Sequence, residues 1–132
     1  MFLATVLDWI MPISVGLIVG VLIATRKNVD YKQIIPLEPE EFSLNMRKGQ
    51  LIDIRKEADY KHQKINGSRS FERKTLFSQL HKIRKDQAIF LVDYNHKSHS
   101  KRFAVKLLKK GFKPVYILKG GIENWPYSFK EQ

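Results

Sequence analysis

Apolar and polar positions divide the chain into two parts with different patterns. The first 25 residues contain 18 apolar side chains in nearly continuous succession, whereas short apolar runs alternate with amphipathic segments in the rest of the chain. A stretch of this length crosses the hydrocarbon core of a bilayer as one helix, because each helical residue adds about 1.5 Å. The pattern therefore predicts a transmembrane helix over residues 1–25, a tether over residues 26–37 and a folded domain over residues 38–132.

The pattern after the tether predicts alternating strands and helices. Short β-branched apolar runs predict strands, and apolar residues spaced three and four apart predict helices. The strands are predicted over residues 50–54, 88–92 and 115–118, and the helices over residues 39–48, 57–64 and 71–85 and between Ser100 and Gly111. Such alternation is typical of an α/β fold with a parallel sheet covered by helices on both faces. Ligands bind beyond the carboxyl ends of such strands, so residues 93–100 form the candidate site.

The basic residues all lie on one side of the apolar segment. All 24 Lys and Arg residues follow residue 25, and with 12 of the 13 acidic residues they give that part a formal charge of +12. The positive-inside rule then predicts a single-pass protein of the cell membrane, with its N-terminus outside and its domain in the cytoplasm. A signal peptide would show basic residues before the apolar run and a small-x-small cleavage site after it. Neither is clear here, so we expect an anchor that is retained.

The chain contains no cysteine, which excludes several kinds of chemistry. A thiolate nucleophile, a disulfide and a cysteine-ligated zinc or iron–sulfur site are all ruled out. His96 and His99 are three residues apart, but no acidic residue nearby completes a ligand set apart from Asp93 at a strand end. We therefore expect neither a metal nor a cofactor.

Several motifs occur in the order and spacing of a known family. They comprise Leu51–Arg55, Asp59–Tyr60, Lys64–Ser68, Lys110–Phe112 and Val115–Trp125. Over roughly two-thirds of its length the chain thus resembles the single-domain rhodanese-like family. The resemblance implies a rhodanese-like parallel sheet flanked by helices, and it implies that Arg55 forms an internal ion pair or braces a loop. The family's structural positions fall on Asp53, Arg55, Gly67, Gly120, Gly121 and Trp125.

The reactive cysteine of that family has no counterpart here. The resemblance implies a loop of the form Cys-Arg-x-Gly-x-Arg-Ser after the central strand, and the alignment places Tyr94 at the cysteine position. Lys97 then replaces the loop glycine, and His99 replaces the second arginine. A shift of one residue would place Asp93 or Asn95 at the cysteine position, and none of these side chains can replace a thiolate. We therefore predict that rhodanese-type sulfur transfer is absent.

The loop after the central strand permits two interpretations. It combines a helix N-terminus with polar and basic side chains, which suits an anion receptor. The simpler interpretation, which we favour because positive loops at helix ends are common without ligands, is a solvated loop in which Ser98 or Ser100 caps the following helix. The candidate anion-binding residues are Asn95, His96, Lys97, Ser98, His99 and Ser100.

Basic residues also form one face of the helix predicted after this loop. They are Lys101, Arg102, Lys106, Lys109 and Lys110. A solvated helix face and contact with anionic lipid headgroups both explain this pattern. Nucleic acid is not expected as a partner, because the interleaved basic and aromatic residues that such modules use are missing.

Three functional hypotheses remain open. The first is a membrane-anchored rhodanese-like domain without its own sulfurtransferase nucleophile, which acts as a binding or scaffolding module for an unknown protein partner. The second is a rhodanese-type sulfurtransferase that works with a partner thiol. The third is an anion or anionic-lipid sensor. In all three hypotheses, the N-terminal helix attaches the protein to the membrane.

Overall fold

Parallel strands organise the domain in the computed structural model, which describes residues 2–24, 29–95 and 97–130. The strands are β1 (Ile34–Leu37), β2 (Gln50–Asp53), β3 (Arg69–Ser70), β4 (Ile89–Val92) and β5 (Val115–Leu118). Their order in the sheet is β1-β5-β4-β2-β3, and each neighbouring pair is parallel. β4 therefore lies at the centre of the sheet, and the predicted α/β fold is confirmed.

Helices precede and connect these strands. They are α1 (Phe2–Ala24), α2 (Pro39–Asn45), α3 (Glu57–His62), α4 (Arg73–Leu76) and α5 (Lys97–Lys109), with short 3₁₀ turns at Tyr31–Gln33, Met46–Lys48, Leu80–Lys82 and Ile122–Asn124. α2 begins where the sequence predicts, because Pro39 is suited to the first helical position and two glutamates occupy the first turn.

α1 is long and apolar enough to cross a membrane. Over Thr5–Ile23 every side chain is exposed, so the domain does not cover this helix. An isolated apolar helix of this length is stable in lipid, where all its backbone groups are paired internally. The segment is a candidate membrane span, and a signal sequence would have the same length and composition.

Apolar layers cover both faces of the sheet. On one face Phe90 of β4 packs with Phe42 of α2. On the other face Leu91 belongs to a cluster with Leu76 of α4 and Leu107 of α5. Burial on both faces explains why β4 is a continuous apolar run rather than an alternating one.

The tether predicted over residues 26–37 is shorter in the structure. Residues 25–28 lie outside the described part of the chain, and Ile34–Leu37 forms β1 instead of an irregular segment. β1 is an edge strand that pairs only with β5, and Pro36 is exposed there. Proline is tolerated at an edge because its missing N–H is not needed by a second neighbour. The proline concealed this strand in the sequence.

The helix predicted over residues 71–85 is also wrong. The chain forms β3, then the single turn of α4 and the separate 3₁₀ turn Leu80–Lys82. Ser78 ends the first turn, since both its amide and its hydroxyl donate to the carbonyl of Thr75, at 3.1 and 2.6 Å. Leu76 and Ile83 are both buried, so two short turns satisfy the apolar spacing that indicated one helix.

The closing Gly120–Gly121 turn packs directly against the chain that leaves β4. Both glycines have positive φ, +80° and +67°. A Cβ atom on Gly121 would overlap with the carbonyl group of Tyr94. The amide of Ile122 donates to the carbonyl of Asp93 at 2.8 Å. Only glycine permits this close approach, so the turn fixes the backbone of the candidate loop.

We predict that Gly121→Ala lowers the free energy of unfolding by more than about 3 kcal/mol, since a strained φ and a steric overlap act together. Gly67→Ala is the matched control, because Gly67 has φ +87° but the nearest atom to an added Cβ is 3.6 Å away. It should cost only about 1–2 kcal/mol. Urea unfolding of the full chain in detergent, followed by fluorescence of Trp125 in a Trp9→Phe background, measures both. Equal losses would contradict the predicted overlap.

Candidate functional site

The chain that leaves β4 places Asp93 and Tyr94 at the carboxyl edge of the central strand. Asp93 is buried and Tyr94 is partly exposed. α5 begins at Lys97, so only a short loop separates the strand from the helix. This is the place where ligands bind in parallel α/β sheets.

The side chain of Tyr94 is tied to the opposite side of the loop. Its hydroxyl donates to Oδ2 of Asp59 and accepts a hydrogen bond from the amide of Lys56 at 3.2 Å. The guanidinium carbon of Arg55 lies 6.0 Å from the centre of its ring. Burial raises the pKa of the Tyr94 phenol above 10.0, and the hydrogen bond to Asp59 adds to this rise. Tyr94 is therefore a neutral hydrogen-bonding group rather than an ionised nucleophile.

Asp93 supplies the loop with an internal anion. Its carboxylate is 1% exposed and accepts from the amide of Tyr94 at 2.7 Å and from the hydroxyl of Ser100 at 3.3 Å. Nη1 of Arg73 lies 3.8 Å from Oδ2. These donors are thus engaged by a carboxylate of the chain itself. The sequence placed Asp93 only at a shifted cysteine position or beside a candidate metal site, although an acid directly after a buried strand was a signal for this role.

Asp53 and Arg55 form the predicted internal ion pair. Nε and Nη2 of Arg55 donate to the two carboxylate oxygens at 3.0 and 2.9 Å, and both side chains are buried. Nη2 also donates to the carbonyl of Gln63 at 2.6 Å, which holds the residue after α3. Burial raises the pKa of Asp53 above 3.8, and the hydrogen bond and charge of Arg55 oppose that rise. This pair braces the segment that carries Asp59.

The six candidate anion-binding residues are distributed differently from the predicted loop. Asn95 is exposed, and His96 lies outside the described residues. α5 already includes Lys97 and Ser98, so the prediction that Ser98 or Ser100 precedes the helix is wrong. Ser100 faces Asp93 inside the first turns of the helix. An anion site in this loop stays a prediction.

His99 contacts α4. Its Nδ1 lies 2.7 Å from Nη1 of Arg73, so the arginine donates to the imidazole. The described residues contain no group of three or more His, Cys, Asp or Glu side chains that could hold a metal ion.

A cavity of about 340 Å³ borders the loop on the side of β1 and β5. Its walls are largely apolar, and it is lined by Tyr31, Ile34, Pro36, Tyr94, Asn95, Ser100, Lys101, Ile117, Leu118, Lys119, Gly120 and Gly121. The cavity could not be predicted from the sequence, because β1 forms one of its walls and was predicted as tether.

The remaining family positions have structural roles. Gly67 has φ +87°, a left-handed conformation that glycine adopts in a turn without steric strain. Trp125 is buried and packs edge-on against Phe42, with ring centres 6.1 Å apart. The closing segment is therefore part of the core.

The chain belongs to the rhodanese-like domain family. The family model, described as Rhodanese-like domain, matches residues 38–127. The uncharacterised protein YqhL of Bacillus subtilis is 36% identical over 89 residues, which are 67% of this chain and 70% of YqhL. The thiosulfate sulfurtransferase GlpE of Coxiella burnetii is 32% identical over 95 residues, which are 72% of this chain and 87% of GlpE. The resemblance stated from the sequence is thereby confirmed.

Solved structures show the same fold. A rhodanese-like domain protein from Staphylococcus aureus superposes with a TM-score of 0.64 at 14% identity, and the match covers 74% of this chain and 98% of that one. The reduced CoADR-RHD protein of Bacillus anthracis superposes with a TM-score of 0.63 at 23% identity, over 71% of this chain and 17% of that one. The present chain thus corresponds to a small part of the second protein.

We predict that Arg55→Met lowers the free energy of unfolding by about 3–5 kcal/mol near pH 7, because it leaves the carboxylate of Asp53 buried without its partner. The same variant raises the pKa of Asp53 further, since burial then acts unopposed. An acid with a raised folded-state pKa contributes full stability below its unfolded pKa of 3.8 and loses it as the pH rises through the folded-state pKa. The loss should therefore be smaller near pH 4 than near pH 7.

The control for this prediction is Arg55→Met combined with Asp53→Asn. An amide does not ionise, so the extra pH dependence should disappear in the double variant. Urea unfolding at both pH values measures the difference. A loss that is equal at both pH values would contradict the assignment to Asp53.

Proposed function

We propose that this chain is a membrane-anchored rhodanese-like domain that transfers no sulfur and acts as a binding or scaffolding module. The observation that carries the proposal is the position of Tyr94. It stands where the family alignment puts the cysteine, and its hydroxyl is held by Asp59 and the amide of Lys56. The family's surrounding architecture is otherwise retained, including the Gly120–Gly121 turn.

Sulfur transfer of the rhodanese type needs a group that attacks sulfur and then carries it. A thiolate is available near neutral pH and forms a persulfide, whereas an unperturbed phenol has a pKa near 10 and forms no such adduct. Burial raises the pKa of Tyr94 further. The chain contains no thiol that could take over this role, because it contains no cysteine. Binding is the function that this loop can still perform.

Membrane attachment is the second part of the proposal. α1 is the anchor, and the domain lies on the cytoplasmic side because basic residues follow the apolar segment directly. The N-terminus then lies outside. Placement beside a membrane suits a module that presents a protein partner or a ligand there.

One observation favours a sulfurtransferase that works with a partner thiol as the second candidate. The cavity of about 340 Å³ lies beside Tyr94, so a partner's sulfur carrier has space next to the loop. The similarity to GlpE, named a thiosulfate sulfurtransferase, is consistent with this candidate. In this case the partner supplies the nucleophile that Tyr94 cannot supply.

We predict no thiosulfate:cyanide sulfur transfer by the full chain in detergent. Tyr94→Cys should restore weak activity or none, because Lys97 still stands at the family's loop glycine. The double variant Tyr94→Cys with Lys97→Gly is the matched comparison and should exceed the single variant. Transfer by the unaltered chain would refute the binding-module proposal. Transfer that appears only with an added thiol would favour the second candidate.

The cysteine-free chain also permits a test of topology. Lys48→Cys places a single thiol on an exposed site of the domain. A membrane-impermeant maleimide should label it in inverted membrane vesicles and in detergent-treated cells, but not in intact cells. Labelling in intact cells would place the domain outside, and absence of the protein from membranes would refute the anchor.

A further inference from the structure

A basic cleft separates α4 from α5 on the face of the sheet away from α2. It encloses about 390 Å³ and is lined by Arg73, Lys74, Phe77, His99, Arg102, Phe103 and Lys106. Four of these residues are Arg or Lys, and none is acidic. A concave surface with such charge raises the local concentration of anions and suits a compact one.

The floor of the cleft is built from packed side chains. The rings of Phe77 and Phe103 lie 5.1 Å apart, and Nζ of Lys106 lies 5.8 Å from the centre of the Phe77 ring. The contact of 2.7 Å between Arg73 and His99 joins the two walls. The cationic groups are therefore carried by a defined scaffold rather than by an isolated helix face.

The internal acids compensate only part of this charge. Asp93 lies 3.8 Å from Arg73, and Glu72 lies 3.7 Å from Lys74. Within the described chain, Arg102 and Lys106 have no carboxylate within ion-pair distance. Both are exposed, and a guanidinium beside an ammonium is the donor set that phosphate oxygens prefer.

The cleft and the residues that follow α1 both lie beside α5. Lys101 and Tyr31 line one cavity on one flank of α5, and the next residue, Arg102, lines the cleft on the other flank. Tyr31 follows the last residue of α1, Ala24, by seven residues, which span at most about 25 Å. An anchored α1 therefore keeps Tyr31, and with it the neighbouring flank of α5, within about 25 Å of the end of the membrane helix.

We propose that the cleft between α4 and α5 binds the phosphate of an anionic phospholipid in the membrane that holds α1. This inference rests on the proposed membrane anchor and adds a defined partner for the domain. Arg102 and Lys106 contact the phosphate oxygens, while Arg73 remains engaged by Asp93 and His99. The aliphatic part of Lys106 remains on Phe77, so only its charged end faces the headgroup.

The experiment uses the full chain reconstituted in nanodiscs of neutral phosphatidylcholine, with or without about 30 mol% phosphatidylglycerol. Ser78→Cys provides the only thiol, on the exposed end of the α4 segment, for a fluorescent dye. Lipids with spin-labelled headgroups quench the dye when this side of the domain contacts the bilayer. We expect quenching to increase at least about threefold with phosphatidylglycerol and to return to the neutral-lipid level in high salt.

Two double variants of α5 distinguish the cleft from general charge. Arg102→Glu with Lys106→Glu reverses the two donors of the cleft, and Lys101→Glu with Lys110→Glu makes the same change of charge outside it. The first pair should abolish the increase caused by phosphatidylglycerol, and the second should retain most of it. Arg102→Gln with Lys106→Gln repeats the test should the reversed pair fail to fold.

The remaining outcomes distinguish a failure of the inference from a failure of the proposed function. Failure of the chain to remain in neutral nanodiscs refutes the anchor. Retention in nanodiscs with equal quenching for both double variants refutes the cleft as the site. A further outcome is quenching that is the same with and without phosphatidylglycerol while millimolar inorganic phosphate shifts the dye fluorescence. That result assigns the cleft to a soluble phosphate and overturns the lipid assignment. Tight binding of an oligonucleotide or a phosphopeptide in place of the lipid response also overturns it.

Discussion

The contact between Gly121 and the carbonyl group of Tyr94 is the constraint on which the candidate site depends. No side chain fits between these two backbones, so the closing segment packs directly against the chain leaving β4. The hydrogen bond from Ile122 to Asp93 strengthens the same contact. With its backbone fixed here, Tyr94 extends its side chain toward α3, where Asp59 accepts a hydrogen bond from its hydroxyl. The family's closing motif thus positions the loop even though the family's nucleophile is absent.

Buried carboxylates neutralise the positive groups next to this loop. Asp53 engages Arg55, and Asp93 engages an amide of the loop together with the hydroxyl of Ser100. Donors that face an internal acid are less available to an external anion. Positive charge without an acidic partner is instead found on α5, where Arg102 and Lys106 have no carboxylate within ion-pair distance among the described residues. The positive charge in this part of the domain is therefore concentrated beside the loop rather than in it.

Sequence patterns predicted the centre of the fold better than its edges. β2, β4 and β5 were predicted because they are apolar runs buried on both faces, whereas β1 contains a proline and β3 has only two residues. The start of α5 was misplaced because its first turn is polar. The assignment of Tyr94 to the cysteine position rests on a motif and stays a prediction. The hydrogen bond from Tyr94 to Asp59 could not be predicted, because only tertiary packing brings α3 to the loop.

The same limit applies to the cleft between α4 and α5. Periodicity identified the basic face of α5, but it could not show that Arg73 would lie beside it, because residues 71–85 were predicted as one continuous helix instead of two short turns. Packing of Phe77 on Phe103 creates that proximity. Contacts between residues distant in sequence therefore determine where the ionic groups gather.

The loop after β4 contains a phenol and no thiol, which limits the chemical signals that can act on it. A reactive cysteine is oxidised by peroxide and modified by electrophiles, so its chemical state follows the redox conditions of the cell. The phenol of Tyr94 undergoes neither thiol oxidation nor disulfide exchange. Oxidants that act on thiols therefore have no target in this loop.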